Sequence, residues 1–158
     1  LVVTFASWEA GLVVAANTPR GIRGLGDLAR ADVTVVRRQP GSGAEGLLER
    51  LLARAGIASD RLHRGDSIAG GHVDTARAVA LGAADVGVAI PTVARAFGLG
   101  FLPLVEERFD LVLSRERSRE PAAARLLDTL SARSFRRELD SLGGYQSRAA
   151  GSCIAVGP

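Results

Sequence analysis

The sequence predicts an α/β domain built on a mainly parallel sheet with helices on both faces. Short apolar, β-branched runs alternate with helix-period segments, the pattern of strand–helix–strand units. One strand–turn–helix unit, centred on Arg38-Gln39-Pro40-Gly41-Ser42-Gly43, stands out among them. The chain has 158 residues, 47% hydrophobic and 23% charged, enough for one domain with a real core.

In chain order, Leu1 to Phe5 reads as a buried strand and Leu12 to Ala16 as a second apolar run. Asn17-Thr18-Pro19-Arg20-Gly21 is a turn, and Leu25 to Ala29 one short helical turn. Val33 to Val36 is a strand. The helix after Gly43 places Leu47, Leu48, Leu51, Leu52 and Ala55 on one face, with Gly56 as its stop. Arg61 to Gly71 is polar and glycine-rich and reads as a loop. Val73 to Leu81 is a helix with Ala76, Val79 and Ala80 inward. Asp85 to Ile90 is a short apolar strand, and Pro91 opens a helix ending near Gly98.

Phe101 to Val105 and Phe109 to Leu113 read as two strands, joined by Glu106-Glu107-Arg108 as a solvated turn or a hinge. Pro121 starts a helix with Leu126, Leu127 and Leu130 on its face. Ser134 can cap another, with Phe135, Leu139 and Leu142 inward and Gly143-Gly144 at its end. The last residues read as an irregular tail.

Composition limits the function classes. All 20 basic residues are arginine, and the net charge is only +3, spread along the chain, so no dedicated nucleic-acid surface is expected. No apolar run approaches the ~18 residues of a membrane span. The lone Cys153 forms no internal disulfide. The chain starts at Leu1, with no initiator Met and no signal-peptide pattern, so it reads as trimmed, processed or cut from something longer; a cytoplasmic setting is expected before a periplasmic one.

The Arg38–Gly43 stretch admits two readings. As a site, the free N–H groups at the helix start, the glycines, the Ser42 hydroxyl and the charge of Arg37 or Arg38 would cradle a tetrahedral oxyanion. As a plain cap, Ser42 followed three residues later by Glu45 is a capping box that satisfies the same amides internally. His72 opens a helix after Gly70-Gly71. It points into a cleft or serves as a polar surface or capping residue. His63 sits in a polar stretch, and Gly21-Ile22-Arg23-Gly24-Leu25-Gly26 reads as a loop. No nucleophile elbow, no phosphate-binding lysine loop, no metal-ligand spacing and no paired acid and base are present, so the expectation is a protein that is not an enzyme and needs no metal.

A wider series of motifs carries a family resemblance. It runs Gly11-Leu12, Asn17-x-Pro19-x-Gly21-Ile22, Leu25-x-Asp27-Leu28, Arg38-Gln39-Pro40-Gly41-Ser42-Gly43, Gly82-x-Ala84-Asp85-Val86-Gly87, Phe101-x-Pro103-Leu104, Glu107-x-x-Asp110-Leu111 and Gly143-Gly144-Tyr145. In order and spacing, over about Ala10 to Gly151, it resembles the periplasmic-binding-protein-like domain related to molybdate-binding proteins. That domain is found in bacterial molybdate-responsive regulators and beside molybdopterin-biosynthesis domains.

The resemblance implies a type 2 periplasmic-binding-protein fold, with a small ligand held between two lobes and a hinge closing them. About 10–110 would be the second lobe. Residues 1–9 and 111–151 would be crossing segments and first-lobe helices, with the N-terminal part of the first lobe missing. The implied ligand is a small oxyanion, molybdate or tungstate, with no other cofactor. Arg38, Ser42, Gly43 and Ala44 would hold it, with His72 nearby and Gly87 and Val88 lining the opposite wall. The implied partners are an attached upstream domain or a second copy of the chain.

The sequence departs from the family at three places. Ala44 and Glu45 stand where Thr and Arg are usual, Arg37 where Asn is usual, and Gly71 where Thr is usual before the histidine. Glu45 adds a carboxylate that opposes an oxyanion at short range. These departures motivate the alternative, a degenerate lobe acting as an interaction or dimerisation domain.

Overall fold

A computed structural model of the chain describes residues 1–15 and 21–154. The expected turn at Asn17-Thr18-Pro19-Arg20 lies outside the described residues. The structure is α/β and divides into two compact units, Leu1–Glu9 with Glu106–Pro158 and Ala10–Val105. Two long strands, β1 (Val2–Val14) and β5 (Gly100–Val112), run through both.

Unit Ala10–Val105 holds β2 (Thr34–Arg38), α1 (Gly43–Arg54), β3 (His63–Ala69), α2 (His72–Ala80), β4 (Val86–Ala89) and α3 (Pro91–Ala96). Its strand order is β3-β2-β4-β1-β5. Pairing is mixed: β2 runs parallel to β3 and β4, while β1 joins β4 antiparallel, Gly11 opposite Ala89. The parallel strands are those followed by helices, because a helical crossover returns the chain in the same direction.

Side chains alternate across these strands and build two cores. On one face Leu12, Val14, Val35, Val86 and Val88 pack against Leu47, Leu48 and Leu52 of α1. On the other Val13, Val36 and Ala89 pack against Val79 of α2 and Ala94 of α3. Leu48 and Leu52 are almost wholly removed from water, which stabilises the unit by about 1.5–3 kcal/mol each.

Unit Leu1–Glu9 with Glu106–Pro158 holds α4 (Pro121–Ser131), α5 (Arg133–Ser141) and two short strands, β6 (Tyr145–Gln146) and β7 (Cys153–Ile154), that pair antiparallel with β1. Val3, Ala6, Leu130, Leu139 and Ala150 are buried in it. Phe5 meets Phe109 and Phe135 edge-on, at 5.8 and 5.7 Å between ring centroids, and Trp8 stacks on Phe109.

Several boundaries differ from expectation. The two apolar runs at the start are one strand, β1, since nothing from Ala6 to Gly11 forbids extended backbone; Gly11 lies tight against the Leu102 carbonyl, where a side chain would clash. Glu106-Glu107-Arg108 likewise lies inside β5 rather than in a turn: Glu106 and Arg108, two residues apart, share the exposed face of the strand, and Glu107 between them is half-buried. Arg61–Gly71 begins on the last residue of a 3-10 turn (Ser59–Arg61) and contains the edge strand β3; its polarity reflects a half-exposed edge, not a loop. Ser134 sits inside α5, whose N-cap is Ala132. Leu126 and Leu142, expected inward, are exposed, and the tail contributes β6 and β7.

Candidate functional site

The carboxyl ends of the parallel strands β2 and β3 lead into the N-termini of α1 and α2. That edge is where open α/β sheets bind ligands. Gly41, with φ of 79°, reverses the chain after β2, a backbone conformation that glycine alone adopts freely. Ser42 is the N-cap of α1, its hydroxyl accepting from the Glu45 amide at 3.3 Å. The amides of Gly43 and Ala44 belong to the first turn and have no helical acceptor. A Cβ at Gly43 would meet nothing within 4 Å, so the backbone there is open to approach.

A cavity of about 700 Å³ opens at this turn, lined by Arg37, Arg38, Ser42 and Gly43, with Arg50 and Arg64 across from them. Glu45 and Glu49 are the two carboxylates in its wall.

Arg38 ends β2 opposite Ala69 of β3 and is only 7% exposed. One guanidinium nitrogen donates to the Thr75 hydroxyl at 3.4 Å, a long bond, and Nε is shielded from water without a partner. Burial lowers the pKa of Arg38, while the charges of Glu45 and Asp74 raise it. Thr75, fully buried on α2, donates in turn to the Gly71 carbonyl at 3.0 Å. Thr75 thereby fixes Arg38 against α2.

The capping box forms by half. Ser42 caps the Glu45 amide, but the Ser42 amide donates to the Gln39 carbonyl at 3.1 Å, not to Glu45. The Glu45 carboxylate turns instead to Arg64 of β3, Oε1 lying 2.7 Å from the guanidinium in an ion pair whose angle falls short of hydrogen-bond geometry. Oε2 is buried without a partner. The negative charge added at this position is therefore partly balanced by Arg64.

His72 is the first residue of α2, whose N-cap Gly71 offers no side chain. Its imidazole pKa is lowered, first by burial and then by the charge of Arg38; the nearby Val88 backbone acts the other way. Nδ1 is buried without a partner. Arg38, His72, Thr75 and Val88 thus converge from β2, α2 and β4.

Of the residues expected at the site, Arg38, Ser42 and Gly43 line the cavity and Ala44 continues the first turn of α1. His72 feels the charge of Arg38 and lies near the Val88 backbone, and neither His72 nor Val88 lines the cavity itself. Gly87 has a different place. It lies inside the sheet opposite Val13, and a Cβ there would collide with the Thr75 methyl and come within 2.9 Å of Val36. Its lack of a side chain lets α2 pack close to β4. Sequence reasoning missed Thr75 and Arg64. Thr75 shares the inward face with Ala76 and Val79, and a polar residue in an apolar stripe was the available signal. Arg64 carried no signal once its strand was read as a loop.

Relatives agree with this architecture. A model of the PBP superfamily domain matches residues 1–131. The uncharacterized protein YvgK of Bacillus subtilis is 32% identical over 147 residues, covering 92% of this chain, and the chain spans only 47% of that relative's length. An uncharacterized protein of Clostridium pasteurianum, from the 5′ region of a 2Fe-2S ferredoxin gene, is 31% identical over 84 residues, which are 52% of this chain and 74% of that one. A Clostridium perfringens protein described as a phosphate ABC transporter substrate-binding protein, solved with bound phosphate, superposes with a TM-score of 0.69 at 14% identity, covering 92% of this chain and 71% of that one. From the family match over residues 1–131 and the α/β architecture, the chain belongs to the PBP superfamily, a family of ligand-binding folds.

Proposed function

We propose that the chain binds a small tetrahedral oxyanion at the α1 N-terminus, with Arg38 supplying the charge. One observation carries this reading: Arg38 is a cation buried to 7% exposure, with an unpartnered Nε and, among the described residues, no carboxylate at ion-pair distance. Glu45 and Asp74 act on this charge only from beyond ion-pair distance, so its burial stays costly, and an anion in the adjoining cavity offsets that cost. The Ser42 hydroxyl and the amides of Gly43 and Ala44 would supply directed donors. The likeness to a phosphate-bound protein supports the anion class. Molybdate and tungstate stay in the proposal through the family resemblance, as does the role of a sensing domain attached to a regulator or a molybdenum-related protein.

Binding rather than turnover is proposed, since the described donors at α1 are placed to hold charge. Calorimetric titration with phosphate, sulfate, molybdate and tungstate tests the reading. Heat from at least one, with binding weakened about 30-fold or more by Arg38→Ala, is expected; no heat from any at millimolar concentration rules it out.

A second reading, a degenerate lobe serving as an interaction domain, draws on Phe109, Val112, Leu142 and Ile154, all exposed on the unit that holds α4 and α5. Sedimentation velocity separates the two: a strict monomer at all concentrations removes this second reading.

A further inference from the structure

We infer that the unit holding α4 and α5 carries its own anion pocket, formed by Arg133, Arg136 and Arg137, for a phosphate-bearing small molecule. The three arginines lie at i, i+3 and i+4 on α5 and line one cavity of about 510 Å³ with Asp140 and Ser147. None of them belongs to the α1 cavity.

The charge in this pocket is unbalanced. Asp140 is its one carboxylate, and both of its oxygens are already engaged, Oδ1 by the Ser147 amide at 3.1 Å and Oδ2 by the Ser147 hydroxyl at 2.9 Å. Arg136 is held in place by donating to the Ala150 carbonyl at 2.8 Å, and its Nε is shielded without a partner. Like charges at i, i+3 and i+4 repel, and cations in the first turns of a helix oppose its dipole. α5 has no acidic residue in its first turn and no side-chain cap to offset either effect. A bound anion offsets both.

The donor chemistry selects the ligand. Guanidinium forks pair with tetrahedral oxyanions in two-bonded geometry, and three on one side match a phosphate group. The cavity lies in the range of small-molecule sites, roughly 300–1,000 Å³, larger than a bare phosphate needs. A second hollow of about 310 Å³ shares Asp140 and Ser147 with it and adds Arg148 and Tyr145. The extra room fits the organic part of a phosphate ester.

The test titrates the full chain with inorganic phosphate and ribose 5-phosphate, at physiological ionic strength, in wild type, Arg38→Ala and Arg133→Gln/Arg137→Gln. Arg38→Ala is expected to keep a ribose 5-phosphate site. The double variant is expected to lose about tenfold or more in affinity at that site, with circular dichroism unchanged. Arg137→Gln alone, at an exposed position, covers the case in which the double variant fails to fold. The pocket is refuted if Arg38→Ala binds neither probe, or if the charge-removed variants bind as tightly as wild type, or if binding vanishes at physiological salt. The first of these leaves the α1 site standing, whereas loss of all binding in wild type sinks both.

Discussion

At the scale of single residues, Glu45 sets the character of the α1 site. A carboxylate three residues into the helix acts as a built-in anion beside Arg38, and Arg64 balances it only in part. Glu45→Gln keeps the shape and removes the charge. It is expected to tighten phosphate or sulfate binding by about tenfold, the scale of a ~1.4 kcal/mol change in local electrostatics, measured by calorimetry. Arg38→Ala should weaken the same binding by about 30-fold or more, since truncating a buried charged partner costs 2–5 kcal/mol.

His72 gives a pH signature. Its folded pKa lies below the ordinary imidazole value of 6.5, so the unfolded chain takes up a proton first as pH falls. Its contribution is complete above that value and is lost as pH falls below it toward the folded pKa. The melting temperature should therefore drop on acidification below about pH 6.5, and His72→Gln should flatten the drop.

Helix starts and strand crossings carry the predictions at the scale of elements. Ser42→Ala removes a single long cap bond, so a loss of about 0.5–1 kcal/mol in denaturant unfolding is expected. Gly87→Ala should cost more, about 1–3 kcal/mol, because the added methyl has nowhere to go between β4 and α2. The difference between the two measures which glycine and serine positions are for packing and which are for a ligand. Element identity was readable where periodicity was unbroken: α1 starts after Ser42 and stops before Gly56 as expected, with Leu47, Leu48 and Leu52 buried, while Ala55, expected on the same face, is exposed. β3 was not readable, because an edge strand of His, Arg, Gly, Asp and Ser lacks the apolar alternation that marks a strand. β1 was divided in two because Ser7-Trp8-Glu9 carries no apolar run, although nothing in it breaks a strand.

Over the whole chain, the two proposed anion sites lie in separate compact units, one on α1 and one on α5. Hydrogen exchange in ribose 5-phosphate should then show protection gained in two stretches, around residues 41–46 and 133–137, and Arg38→Ala should remove only the first. Thermal stability should also rise with ligand, by about 2.7 kcal/mol at a hundredfold excess over the dissociation constant.

The sequence alone determined the α/β class, the α1 unit and the Arg38–Gly43 turn, because strand and helix periods and turn chemistry are local. It also placed Arg38, Ser42, Gly43, Ala44 and His72 among the candidates. Tertiary structure decided what surrounds those residues. Whether Glu45 caps its own helix or pairs with Arg64, and whether Gly87 faces a ligand or a helix, depends on which strand lies beside which. The Thr75 hydroxyl on Arg38 joins residues 37 positions apart. The mixed sheet follows from β1 pairing with β4 across the chain. Such pairings are set by burial summed over the whole core, and no short window of sequence contains them.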